Sequence, residues 1–391
     1  MTNIHRILVF LLCVSFFSCS SIEIKENIEI DRGEDWLIIG GDPSRTNISK
    51  SDSAFTPPFE LYWDFNADAG FSNNCMSISD AVLFAATLRG EVFAIDVLSG
   101  KSLGRISNLG KATYCTPLIL KSGLIVTFDG DKKKSILSYD IGTGTEIWSR
   151  DIGMIRSSPV SYEDNIFVSS IDKKLYKMEP STGSILWSFT GYGDSIKLKS
   201  FYTSPSVYDS VVYSGNSNGY MYALGLRNGQ TKWKFKTGAS INCDASIKDG
   251  FVYFGSDDKS FYCIKPNGTL KWKRELGTEF KASCTFYKDM VITAGVNGII
   301  YAMNTEDGNV IWEYRTDGTI WASPVIQKDK IFIGSFDRKL YCINADNGEK
   351  LWHYETEGRI RASVVIWKNF IFAASDDRNI YCFGNKRSGI L

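Results

Sequence analysis

Eight residues recur at one offset through the chain and could together hold a ligand: Asn73, Tyr114, Arg156, Tyr202, Asn242, Lys281, Trp321 and Arg361. Each stands three positions before a recurring slot filled by Met76, Pro117, Pro159, Pro205, Ala245, Cys284, Pro324 and Val364. Three cations, three aromatics and two amides, with no acid in the set, suit an anionic or sugar-like ligand. Bond-breaking chemistry is harder to find. Beyond the first residues the chain holds one histidine, His353, beside Trp352, and a general base needs a partner within hydrogen-bond reach. Ser158, Ser204 and Ser323 repeat in register, whereas a nucleophile is unique, so these hydroxyls read as structural. No Cys-x-x-Cys or Cys/His cluster is present, so no metal site is expected.

The elements that must position those residues follow from a repeat. Its clearest copy runs Ser323-Pro324-Val325, Ile331-Phe332-Ile333-Gly334-Ser335, Leu340-Tyr341-Cys342-Ile343, Gly348 and Trp352. Tryptophans mark the beat at Trp148, Trp187, Trp233, Trp272, Trp312 and Trp352, spaced 39 to 46 residues apart. Short apolar runs separated by turn dipeptides such as Asn218-Gly219, Asp258-Lys259 and Asp337-Arg338 give four strands per repeat. About 40 residues holding four strands is one propeller blade. The fold class is therefore all-β: an eight-bladed β-propeller of four-stranded blades, closed by an N-terminal strand. The last repeat lacks a Trp strand and residues 60–65 supply a spare one, so this segment is predicted to complete blade eight. Gly104 stands in the Trp slot of blade one, which predicts a weaker contact between blades there.

Composition is that of an ordinary globular chain. The 391 residues are 43% hydrophobic, with 44 acidic and 44 basic side chains, so no basic excess points to nucleic acid. His5 and Arg6 precede an apolar run, Ile7 to Phe17, too short to span a bilayer as a helix. Ser18-Cys19 then forms a lipobox-like end. The expected organisation is a signal peptide over 1–18, a lipidated tether over 19–35 beginning at Cys19, the propeller over 36–385 and a tail over 386–391. Seven cysteines remain in the body. Cys263, Cys342 and Cys382 share a repeat slot that is Ala94, Ala223 and Ala302 elsewhere, so buried free thiols are expected.

The longest step between tryptophans, Trp187 to Trp233, holds an insertion over residues 191–199. Tyr192, Ile196 and Leu198 lie there among Lys197 and Lys199, as a loop suited to a partner contact.

The Gly-x-x-x-Trp segments and the Ser-Pro-Val and Leu-Tyr-Ala-Leu-type strands resemble the pyrroloquinoline-quinone (PQQ) class of propeller over roughly residues 36–385. Trp36 and residues 40–47 (Gly-Gly-Asp-Pro-Ser-Arg-Thr-Asn) are similar to the lead-in before blade one in that class. Two branches come into question. Quinoprotein dehydrogenases hold the quinone with calcium and, in many members, an adjacent Cys-Cys pair; this chain has no adjacent cysteines and is shorter. The other branch, lipoproteins resembling BamB, fits the lipobox and the eight blades. It implies a non-enzymatic scaffold without cofactor, a monomeric propeller bound to protein partners and lipid-anchored at the bacterial outer membrane, periplasmic or surface-facing. That branch carries an Asp-x-Asp before Thr-Thr-Pro for partner binding; here the stretch is Ser200-Phe201-Tyr202-Thr203-Ser204-Pro205, without the acids. The alternatives are a small anionic or carbohydrate ligand at the funnel and, disfavoured, a PQQ dehydrogenase.

Overall fold

The computed structural model describes residues 21–22, 24, 29–31, 33–53, 56–107, 109, 112–121, 123–129, 134–191 and 200–385. Eight antiparallel four-stranded sheets follow one another in chain order, with strands over 76–106, 118–150, 160–190, 206–236, 246–275, 285–315, 325–355 and 365–385. The eighth sheet takes its outermost strand, Phe59–Asn66, from the N-terminal side, paired from Phe59↔Asn385 to Asn66↔Asn379. The spare Trp strand thus closes the ring and no blade is left with three strands.

Local chemistry explains the blades. The innermost strands begin just after the proline slot, at Val160, Ser206 and Val325, and start at the same place in the blades whose slot is Ala245, Cys284 or Val364. The hairpin between the second and third strands turns on a residue with left-handed backbone. Gly219 and Gly298 adopt this freely, while Lys259, Arg338 and Arg378 carry a side chain there. The aspartate before each of those three is held by its own blade. Tyr262, Tyr341 and Tyr381 donate their hydroxyls to Asp258, Asp337 and Asp377 at 2.5, 2.6 and 2.8 Å.

Blades are joined by tryptophan. Each outer-strand indole donates to a carbonyl of the next blade: Trp148 to Pro180, Trp187 to Leu226, Trp233 to Pro266, Trp272 to Thr305 and Trp312 to Ala345, at 2.7 to 3.1 Å. The ring face lies on the turn glycine of that blade. A Cβ added at Gly183, Gly268 or Gly348 would fall 2.5 to 2.7 Å from the indole of Trp148, Trp233 or Trp312, which is why the turn needs glycine. Trp63 repeats the contact across the closure, bonding Val97 at 2.7 Å. At the seam that enters blade eight, Trp352 meets Phe59 edge-on at 5.2 Å.

The seam after blade one differs from expectation. Gly104 does not leave its slot open: Ile22 fills it and is fully buried. A Cβ at Gly104 would lie 2.5 Å from the Ser21 carbonyl oxygen. Ile24 then donates its amide to Ile141 of blade two at 2.7 Å. The start of the segment expected to be a tether is therefore packed, at these three residues, into the propeller wall.

Candidate functional site

All eight repeat-slot residues line one cavity of about 270 Å³ on the ring axis. They share it because each sits on the connection from one blade's outer strand to the next blade's inner strand, and these connections converge on one mouth. Tyr202 is the most open of the aromatics, 41% exposed. The Arg156 guanidinium lies over the Tyr114 ring at 4.7 Å, and that of Arg361 over Trp321 at 5.9 Å.

The acid-free reading holds for the eight slots but not for the site. Arg156 pairs with Asp129 at 3.2 Å, Lys281 with Asp257 at 2.9 Å and Arg361 with Asp376 at 2.6 Å. Asp257 also accepts from Asn242 at 2.6 Å. Burial alone would lower the Lys281 pKa, but Asp257 and Glu279 outweigh it and hold the ammonium above its ordinary value. The cations are thus neutralised where they stand. Sequence reasoning missed these acids because they lie on the second hairpin rather than in the slot. A signal existed in Ser256-Asp257-Asp258 and Ser375-Asp376-Asp377: the second aspartate is taken by tyrosine, which leaves the first to face the axis.

Beneath the mouth runs a relay of hydroxyls one position before the proline slot. Thr116 donates its amide to Ser158 Oγ, Ser158 to Ser204 Oγ, Ser283 to Ser323 Oγ and Ser323 to Ser363 Oγ, at 2.9 to 3.0 Å. The repeated serines therefore tie blades together. Asp244 takes the hydroxyl's place in blade five and accepts the Ser204 amide at 2.7 Å. His353 is exposed on an outer strand, away from the axis.

Residues 35–51 form a strap across the opposite face. Ile78, Ile119, Val207, Ile247 and Ile326 occupy one equivalent inner-strand position, and their amides donate to Trp36, Leu37, Pro43, Ser44 and Asn47 at 2.7 to 3.1 Å. The strap thus satisfies inner-edge donors of five blades that would otherwise lack partners. Arg45 rises from it, 1% exposed, to the floor beside Asp244. A second cavity, about 860 Å³, lies between the strap and blades two and three. It is larger, but it holds none of the eight slot residues.

Other expectations fall differently. Cys19 and the loop residues Tyr192, Ile196, Lys197, Leu198 and Lys199 lie outside the described residues. The flanking Ser200 bonds Ser217 in both directions at 3.0 and 3.1 Å, on the connection that carries Tyr202 to the cavity. The seven body cysteines are buried free thiols. Among the described residues no three His, Cys, Asp or Glu side chains converge as a metal site would require.

Comparison with known proteins narrows the reading. The sequence profile of a family described as outer membrane protein assembly factor BamB matches residues 132–243 and 217–390. The BamB of Escherichia coli (strain K12) is 22% identical over 332 residues, 68% of this chain and 83% of that protein. The chain spans only about half, 52%, of the BamB of Moranella endobia, at 24% identity over 49% of its own length. Among solved structures, BamB from Moraxella catarrhalis superposes with a TM-score of 0.70 at 16% identity, over 84% of this chain and all of that one. Quinohemoprotein alcohol dehydrogenase from Comamonas testosteroni gives 0.75 at 13% identity, over 92% and 82%. At such identities both structural likenesses concern the fold alone.

Proposed function

Because the chain belongs to the family of the outer membrane protein assembly factor BamB, we propose that it is a non-enzymatic scaffold of the bacterial cell envelope. It is anchored by lipid at Cys19 to the outer membrane and binds protein partners there, in the assembly of outer-membrane proteins. The profile match over residues 132–390 carries this reading. The axial site supports it. A catalyst needs an acid, base or nucleophile poised against substrate, whereas Arg156, Lys281 and Arg361 are each engaged by a carboxylate and the serines are engaged by amides. The Asp-x-Asp associated with partner binding in the resembling lipoproteins is absent, so the contact is assigned to the insertion at 191–199, whose Tyr192, Ile196 and Leu198 offer apolar anchors between lysines.

The test is capture of the tagged, full-length protein from mildly cross-linked membranes. Envelope proteins should co-purify with the unaltered chain and be lost when residues 192–199 are replaced by a short glycine-serine link. Recovery of the propeller alone from both would overturn the scaffold reading. Recovery of the same partners from both would move the contact elsewhere on the disc.

A further inference from the structure

The axial cavity has chemistry that a scaffold does not require. Two side chains of its wall each keep one buried donor atom without a partner. Trp321 Nε1 and Arg361 Nε are buried atoms without a hydrogen-bond partner, on side chains that line the same wall. An unpaired buried donor is costly to a fold, and Asp129 Oδ1, on the carboxylate that pairs with Arg156, is a third buried polar atom without a partner at this mouth. Trp321 and Arg361 come from adjacent blades, seven and eight, and Phe336 fixes the Trp321 ring at 4.9 Å. Across the mouth stands the exposed ring of Tyr202. Amides at Asn73 and Asn242 stand elsewhere on the wall.

From this arrangement we infer that the funnel is a binding site for one neutral sugar ring. Charge decides against an anion. Arg156, Lys281 and Arg361 each have a carboxylate within 3.2 Å, and the floor acid Asp244 has Arg45. A bound anion would compete with those carboxylates and lose hydration without a free cation to replace it. A polyol suits the same wall. Its hydroxyls both donate and accept, so they can use the carboxylate oxygens and the amides together. Its C–H faces lie on the apolar surface of Trp321 or Tyr202. Volume sets the length. At about 270 Å³ the cavity is at the small end of ligand sites. The site therefore takes a single ring, or the terminal residue of a longer glycan entering from the mouth.

Calorimetric titration of the full mature chain in detergent tests this directly. The probes are glucose and N-acetylglucosamine as neutral rings, with glucose 6-phosphate and gluconate as anions of similar size. A neutral ring should bind, and the anions should bind no tighter. Trp321→Ala should weaken binding about tenfold, the effect of losing an aromatic contact of about 1.4 kcal/mol. Trp321→Phe, which keeps a smaller ring, should fall between. Tyr202→Ala, an exposed position outside the blade contacts, gives the same readout if Trp321→Ala does not fold. The inference is overturned if no neutral ring binds, if an anion binds more tightly than glucose, or if the Trp321 and Tyr202 variants bind as the parent does. The partner capture described above is independent of these results.

Discussion

Arg45 and Asp244 face each other at the centre of the ring, their charged groups 3.6 Å apart and both nearly removed from solvent. One belongs to the strap and the other replaces a hydroxyl in the relay of blade five. Arg45 also gives Nε and Nη2 to the Pro205 carbonyl at 2.9 and 2.7 Å. Burial lowers the pKa of the guanidinium and raises that of the carboxyl, and their mutual attraction opposes both shifts. The pair is the point where the lead-in is locked to the propeller.

Removing one partner should leave a buried charge uncompensated. Arg45→Met or Asp244→Ser alone is expected to cost about 3–5 kcal/mol, measured by urea unfolding. The double variant restores a serine relay beneath an apolar strap and should cost clearly less than the two single losses together. Additive losses would show that the two residues do not act as a pair.

Ile22 in the Gly104 slot is open to a similar test. Ile22→Asp should destabilise the chain by about 1.5–3 kcal/mol, the value of burying an isoleucine. Gly104→Trp rebuilds the repeat and should displace Ser21 and Ile22, since even a Cβ meets the Ser21 oxygen. The Ile24 amide, bonded to Ile141, should then exchange its hydrogen quickly while the blade amides stay protected. Continued protection of Ile24 in that variant would count against the wedge.

Alkaline pH should destabilise the protein through its thiols. Burial pushes Cys115, Cys243, Cys263 and Cys342 from about 9 up to about 12, and raises Cys75, Cys284 and Cys382 as well. Between those values the unfolded chain has lost protons that the folded chain keeps. Stability from these groups is therefore complete below pH 9 and falls as pH rises towards 12, by up to about 1.4 kcal/mol per thiol per pH unit. Replacing Cys263, Cys342 and Cys382 by Ala, the residue of the same slot in other blades, should flatten the fall in Tm between pH 8.5 and about 10.5. An unchanged slope would locate the alkaline loss elsewhere.

Cys19→Ser tests the anchor. Fractionation after processing should find the variant released from membranes and the parent retained. Equal retention of both would mean that the chain is held by something other than a lipid on Cys19.

Much of this molecule was legible without coordinates because its information is local and repeated. Alternating apolar residues define strands, Asn-Gly and Asp-Arg dipeptides set hairpins, and a tryptophan every 40 residues or so marks where one blade meets the next. The spare strand at 59–66 and the convergence of eight slots on one axis follow from that periodicity. What tertiary structure alone decided lies where one blade meets another or where the chain departs from its repeat. Asp129 and Asp257 meet Arg156 and Lys281 of the following blade, and Asp376 meets Arg361 of its own, so the charge of the funnel depends on contacts that spacing does not encode. The strap and Ile22 occur once in the chain and fill the ring floor and the Gly104 slot from far away in sequence. A repeat specifies its neighbours because each copy presents the same faces. A unique segment has no second copy to reveal its register, so its place is set only by the shape, the unsatisfied donors and the buried charge of the closed ring.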